Sequence, residues 1–185
     1  IVKRGVTELV TPGVALNDEV LQSKSNNFLA AVHFAKKNVG VSFLDVSTGE
    51  FLIAQGNEEY IDKLLQNFTP SEVLVEKKYK QRFLELFTNR FHTFYLDDWV
   101  FQKEYGTELL QNHFKVKTLK GFGVAELESG IIADGAAMYY LSETQHNKVE
   151  HIQSISRIAE DNYVWMDRFT VKNLELYGDN DVNSV

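Results

Sequence analysis

The stretch FLAAVHFAKKNVGVSFLDVSTGEFLIAQ (28–55) decides the fold, because it holds three apolar runs separated by short polar turns. The runs cover 28–35, 39–46 and 50–55, and the turns between them are Lys36-Lys37-Asn38 and Ser47-Thr48-Gly49. Connections this short favour neighbouring strands that run in opposite directions. The stretch therefore predicts a three-stranded antiparallel meander.

Beyond the meander, helical and strand patterns alternate. Asn57 suits the N-cap of a helix over 58–68, whose apolar residues form one stripe. The following patterns predict a strand at 72–76, a helix at 77–89, a strand at 91–96, and helices near 101–114 and 129–144. This order predicts an α/β fold of the RNase H-like kind, with a mixed five-stranded sheet, flanking helices and right-handed crossovers.

The patterns at the two ends of the chain predict parts that do not belong to the α/β domain. Residues 1–14 predict a strand and a turn, followed by a polar linker. Near the other end, Asp167 suits a helix N-terminus, and apolar residues recur at helical spacing over 169–177. We therefore expect three parts: the end of one domain and a linker over 1–17, the α/β domain over 18–146, and the start of an α-helical domain over 147–185.

Composition excludes several classes of protein. The chain has 185 residues, 44% of them hydrophobic, with no cysteine and a net charge of −7. The missing cysteines exclude disulfides and thiolate chemistry, and we expect a cytoplasmic protein. No apolar run is long enough for a membrane span, and no signal-peptide pattern opens the chain. The negative charge disfavours a dedicated DNA-binding domain.

Three carboxylates are the candidates for nuclease chemistry, which needs several Asp or Glu side chains converging on two metal ions. Active enzymes of the predicted fold carry a central Asp on the first strand, whereas here its one polar side chain is His33. Asp45 is expected to cap the adjacent Ser-Thr-Gly turn. Glu76 is interpreted as a solvated strand end, and Asp134 as a solvent-facing helix residue. A divergent metal-dependent nuclease using these three carboxylates is kept as the alternative function.

The remaining motifs favour packing or turns over chemistry. The closest histidines, His146 and His151, are five residues apart, a spacing that does not suit zinc on one helix face. GFGV (121–124) lacks the rest of a phosphate-binding loop and predicts a turn. The aromatic residues are interpreted as core packing. KKYKQR (77–82) is interpreted as a solvated helix face. Weak nucleic-acid binding through this segment is kept as a third hypothesis about function.

Six motifs together resemble the MutS family of DNA mismatch repair proteins over residues 6–176. VTPGV (10–14) is similar to the exit from the family's mismatch-recognition domain. The opening of its connector domain resembles NNFLAAV (26–32) with LDVSTGEF (44–51), and the connector's end resembles GFGV followed by YYLSETQ (139–145). The strongest match, MDRFTVKNLEL (166–176), resembles the beginning of the family's α-helical core, or lever, domain.

The resemblance implies a piece of a longer protein, centred on an RNase H-like connector without nuclease activity. In the family this domain links mismatch binding to the ATPase and docks MutL. Binding of mismatched DNA, the ATP and Mg²⁺ sites and the homodimer contacts belong to other parts of the family's proteins. The resemblance therefore implies a monomeric chain with no catalytic residue, metal or cofactor of its own.

The exposed face of the helix at 101–114 is the candidate docking surface for MutL. Glu108, Gln111 and Asn112 are the residues expected to contact the partner. Leu109 and Leu110 are expected on the inner side of that helix.

Overall fold

The predicted meander is present in the structure, a computed structural model that describes residues 27–145 and 149–158. Its strands are β1 (Phe28–Phe34), β2 (Val39–Asp45) and β3 (Glu50–Gly56). β2 pairs antiparallel with β1 on one side and with β3 on the other. β1 and β2 are apolar on both faces because helices cover both sides of the sheet.

The rest of the sheet is built by crossovers. The elements are α1 (Glu58–Phe68), β4 (Glu72–Glu76), α2 (Lys80–Phe87), β5 (Thr93–Leu96), α3 (Lys103–Phe114), α4 (Glu128–Gln145) and β6 (Ser156–Arg157). The strand order is β5-β4-β1-β2-β3-β6. β4 pairs parallel with β1, β5 with β4, and β6 with β3. The predicted α/β, RNase H-like architecture with a mixed sheet is thus confirmed.

Two local predictions need correction. The sheet has a sixth strand, β6, which the sequence did not reveal because a two-residue pairing carries no periodicity. The predicted helix over 77–89 is divided into a 3₁₀ turn at Lys77–Tyr79, α2, and a second 3₁₀ turn at Thr88–Arg90. The strand predicted near the start of the chain and the helix predicted over 169–177 lie outside the described residues.

The two faces of the sheet have separate hydrophobic cores. α1 and α2 cover one face, where Leu64 and Phe83 are fully buried beside the β1 residue Val32. α3 and α4 cover the other, which we call the α3/α4 face. The cap predicted for α1 is confirmed, since the Asn57 side chain accepts a hydrogen bond of 2.8 Å from the Tyr60 N–H.

Glycines allow the close approach of α4 to its neighbours. A Cβ added to Gly40 on β2 would lie 2.0 Å from the Ser129 carbonyl oxygen of α4. A Cβ added to Gly135 of α4 would lie 2.4 Å from the Cα of Gly106 on α3. These backbone contacts hold α4 against the sheet and α3 against α4, so the outward side of α3 has a defined orientation.

Candidate functional site

Asp45 caps a turn, as the sequence predicts. Its Oδ1 accepts hydrogen bonds from the Ser47 N–H at 2.8 Å, the Ser47 hydroxyl at 2.6 Å and the Thr48 N–H at 3.3 Å. The side chain is buried at the end of β2. This carboxylate is therefore used to fix the turn between β2 and β3.

Glu76 is buried, so its interpretation as a solvated strand end is wrong. Its exposure is 1%, and its two oxygens have different neighbours. The His33 Nδ1 on the adjacent β1 lies 3.4 Å from Oε2, and the Lys78 ammonium group pairs with Oε1. The 3₁₀ turn that follows β4 brings Lys78 back onto the strand end, so the buried carboxylate has a cationic partner. The His33 ring also stacks on Phe101 at a centroid distance of 6.0 Å.

Asp134 is also buried, so the prediction of a solvent-facing residue is wrong. The glycine and alanine residues of α4 let the helix approach the sheet closely, and this places Asp134 inside the α3/α4 face at 0% exposure. Neither carboxylate oxygen makes a hydrogen bond of normal geometry within the described residues. Burial raises the pKa of Asp134 well above its ordinary value of 3.8, and the nearby Ser42 hydroxyl offsets this only in part.

The three carboxylates are engaged separately. Asp45 holds a turn, Glu76 is paired with a lysine, and Asp134 is buried on α4 near the Ser42 hydroxyl. Across 27–145 and 149–158, no group of three or more His, Cys, Asp or Glu side chains is arranged to hold a metal ion. The geometry therefore gives no support to a two-metal site built from these residues.

A fourth buried carboxylate, Glu72 on β4, was missed by the sequence analysis. Its Oε1 lies 3.4 Å from the Tyr140 hydroxyl of α4 and 3.7 Å from the His92 Nδ1. It is the first residue of β4, and a charged residue at the end of a short strand is usually exposed, so nothing in the sequence indicated its burial. Its contacts tie β4 to α4, so its role in the described structure is structural.

The predicted docking residues lie on α3. Glu108 and Asn112 are exposed, whereas Gln111 is half-buried and donates a hydrogen bond from Nε2 to the Lys117 carbonyl oxygen at 3.2 Å. Leu110 is fully buried, as expected for the inner side of the helix. α3 thus presents the exposed polar side chains of Glu108 and Asn112 on its outer face.

An exposed aromatic surface adjoins α3. We call it the aromatic patch and define it as Phe94, Trp99, Tyr105 and Tyr139, with the buried Tyr140 of α4 packed against Phe94. Trp99 contacts Tyr105 and Tyr139 edge-to-face at 5.1 and 5.2 Å, and Phe94 packs on Tyr140 at 5.2 Å. Phe94 and Trp99 are 43% and 45% exposed. The prediction that aromatic residues serve core packing is therefore incomplete, and the polar context LDDW (96–99) was the signal available in the sequence.

Acidic side chains lie near two tyrosines of the aromatic patch. Burial, with smaller contributions from Tyr139 and Glu143, raises the pKa of Tyr105 above its ordinary value. Burial, Glu143 and Asp97 likewise raise the pKa of Tyr139. Negative charge thus lies close to both phenol groups, and the patch has an acidic rim.

The basic segment 77–82 has most of its charges paired. Lys77 forms an ion pair with Asp97, and Arg82 pairs with Glu58 at 2.6 Å. The Lys80 ammonium group lies 5.0 Å from the centroid of the Tyr95 ring. Charges already engaged in this way are poorly placed to replace counterions on a nucleic acid, which favours the interpretation of a solvated helix face.

No helix within the described ranges is both long and apolar enough to cross a membrane.

Comparison with known proteins places the described domain in a family. The family profile described as MutS domain II matches residues 27–153. The chain is 69% identical over all of its 185 residues to the DNA mismatch repair protein MutS of Flavobacterium psychrophilum, of which it covers 21%. It is 68% identical, with the same coverage of both chains, to the protein of that name from Christiangramia forsetii. The MutS protein of Bacteroides fragilis is 57% identical over 96% of the chain, which covers 21% of that protein. The chain therefore spans about a fifth of the length of these relatives.

Proposed function

The chain belongs to the MutS family of DNA mismatch repair proteins, with domain II at residues 27–153, and we propose that it connects mismatch recognition to the ATPase and docks MutL. The observation that carries this proposal is the match to domain II over the strands β1 to β5 and the helices α1 to α4. The separate engagement of Asp45, Glu76 and Asp134 supports a connecting role over metal-dependent cleavage. The domain is proposed to be non-catalytic.

The outer face of α3 is the proposed docking site for MutL. Gly106 packs against Gly135 of α4, and Leu110 is buried beneath the helix, so α3 is held on the body of the domain. Glu108 and Asn112 point outward from this rigid support. A rigid helix with exposed polar side chains loses little conformational entropy on binding, which favours its use as a recognition surface.

Coupling between mismatch recognition and the ATPase is proposed to pass through the sheet and α4 as one body. α4 contacts β1, β2 and β3 as well as α3, so a displacement at one side of the sheet moves the docking helix with it. Coupling of this kind is defined only where two binding sites exist, and these belong to the longer family proteins.

The other attributes follow from the same proposal. Residues 1–17 are proposed to end a mismatch-recognition domain, 18–146 to form the connector, and 147–185 to begin the α-helical core domain. Binding of mismatched DNA, ATP with Mg²⁺, and homodimer formation are proposed for parts outside this chain. The chain itself is proposed to be a cytoplasmic monomer without a cofactor.

The test is a titration of the chain with MutL from the same organism, without DNA. We expect saturable binding that Glu108→Arg combined with Gln111→Arg weakens at least about tenfold, since a buried repulsive contact costs over about 1.4 kcal/mol. Glu85→Arg is the matched control, because Glu85 is an exposed carboxylate on α2, across the sheet. Equal binding by the α3 variant and this control contradicts the docking site.

A cleavage assay separates the proposal from the nuclease alternative. The chain is incubated with Mn²⁺ and a mixture of DNA and RNA–DNA duplexes, and we expect no product above that of a metal-free sample. Cleavage that is lost on Asp134→Asn would contradict a non-catalytic connector.

A further inference from the structure

The aromatic patch is an uncommon surface for a soluble domain. Phe94 and Trp99 are the large apolar side chains that stay exposed within the described residues, and both rest on aromatic rings of α4. Phe94 lies on the sheet-edge strand β5, and Trp99 lies in the 3₁₀ turn at Asp98–Phe101 that follows this strand in the chain. Contiguous exposed aromatic surface marks interaction sites more often than scattered single residues do.

The rim of the aromatic patch is acidic. Asp97 and Asp98 directly precede Trp99, and Glu143 lies one helical turn beyond Tyr139 on α4. Lys77 pairs with Asp97, and Lys78 lies 4.0 Å from Asp98, but Lys78 is bonded mainly to a buried carboxylate at the end of β4. The rim therefore keeps a net negative charge next to exposed ring faces. Negative charge repels phosphate groups and attracts basic side chains.

We propose that the aromatic patch docks a segment of a partner protein in which an arginine is flanked by apolar side chains. A planar guanidinium group stacks on an indole face and at the same time donates hydrogen bonds to carboxylates, which a lysine ammonium group does less well. Trp99 supplies the ring, and Asp98 and Glu143 supply the carboxylates. Phe94 supplies the apolar contact for a neighbouring side chain of the segment.

This docking goes beyond the proposed binding of MutL, since it specifies the side-chain chemistry and does not depend on which protein carries the segment. The two surfaces are neighbours, because Tyr105 of the aromatic patch lies one helical turn before Glu108 on α3. One partner could therefore cover both. The experiment must accordingly avoid MutL, so that failure of one proposal leaves the other open to its own test.

The probe is the capped peptide Ala-Leu-Arg-Leu-Ala, compared with the matched peptide in which Gln replaces Arg. The chain contains two tryptophans, so Trp165→Phe leaves Trp99 as the sole tryptophan reporter. We expect a saturable change of Trp99 fluorescence with the arginine peptide and binding of the glutamine peptide that is weaker by about three- to tenfold. Glu143→Gln in the same background should weaken binding of the arginine peptide to a similar extent.

Glu85→Gln is the control variant, because it removes the same charge from an exposed position across the sheet. Circular dichroism checks that each variant is folded. Equal binding of the two peptides, or equal effects of Glu143→Gln and Glu85→Gln, overturns the proposal, as does the absence of any fluorescence change.

Concentration-dependent self-association that Trp99→Ala abolishes would assign the patch to a second copy of the chain. Saturable binding of a single-stranded oligonucleotide to Trp99 would assign it to nucleic acid. Both of these outcomes also overturn the proposal.

Discussion

Replacing Asp134 with Asn should change how the stability of the domain depends on pH. The Asp134 carboxyl group is fully buried on α4, and burial raises its pKa well above 3.8, with Ser42 offsetting this in part. The unfolded chain exposes the same group to water, where it titrates near its ordinary value. Between these two pKa values the folded state binds one proton more than the unfolded state, so the free energy of unfolding falls as pH rises.

The magnitude follows from this one proton. Below the unfolded pKa both states are protonated and the group has no effect on stability. Above it, each pH unit costs the wild-type protein about 1.4 kcal/mol until the folded pKa is reached. Asp134→Asn removes the titration and keeps the shape of the side chain. The stability of the variant relative to wild type should therefore increase with pH, at a limiting slope of about 1.4 kcal/mol per pH unit, and level off above the pKa of the folded state.

Urea unfolding followed by circular dichroism measures this difference. The slope with pH is the decisive quantity, because the absolute stability of the variant also includes the cost of burying an amide. Glu85→Gln is the control, since it makes the same carboxylate-to-amide change at an exposed position. A wild-type-minus-variant difference that stays constant from about pH 4 to about pH 7 would refute the reasoning, because it would mean that Asp134 has the same pKa in both states.

Three further predictions concern the packing that supports the domain. Gly40→Ala should destabilise the protein by about 3 kcal/mol, the upper end of the usual cost of overpacking, because its Cβ would meet the Ser129 carbonyl at 2.0 Å. Gly121→Ala, with nothing within 4 Å of its Cβ, should change the melting temperature little. Asp45→Ala should cost about 1–3 kcal/mol in urea unfolding by leaving the turn donors unpaired, and no loss would contradict the capping role. Leu110→Ala should cost about 2–5 kcal/mol, since the side chain is fully buried between α3 and α4, and a cost below about 1 kcal/mol would contradict that burial.

Local sequence patterns were sufficient to predict those helices and strands whose type and limits depend only on their own residues. The meander was predicted within a residue at each strand, because short continuous apolar runs separated by polar turns indicate strands without reference to their partners. Likewise α1 was predicted from Asn57 and a single apolar stripe. The 3₁₀ turn after β4 was read as part of a helix, because its residues have ordinary helical composition and the break arises from the ion pairs that Lys77 and Lys78 make.

The polar residues were predicted less well than the apolar ones. A side chain such as Asp45 acts on its own turn, so its role was visible in sequence. Glu76 and Asp134 each lie among residues of other elements, and their burial depends on what those elements bring close. The docking residues Glu108, Gln111 and Asn112 remain a prediction, although the structure describes the helix face on which they lie.

By itself the sequence determined the order and type of the elements, the mixed α/β sheet and the resemblance to the MutS family, because these depend on local periodicity and on motifs that are contiguous in the chain. Only the tertiary structure decided which carboxylates are buried, that β6 joins the sheet, and that Trp99 and Phe94 stay exposed while packing on tyrosines of α4. The physical reason is that burial and charge pairing depend on residues far apart in the chain, such as Ser42 and Asp134, whose proximity the local pattern does not encode.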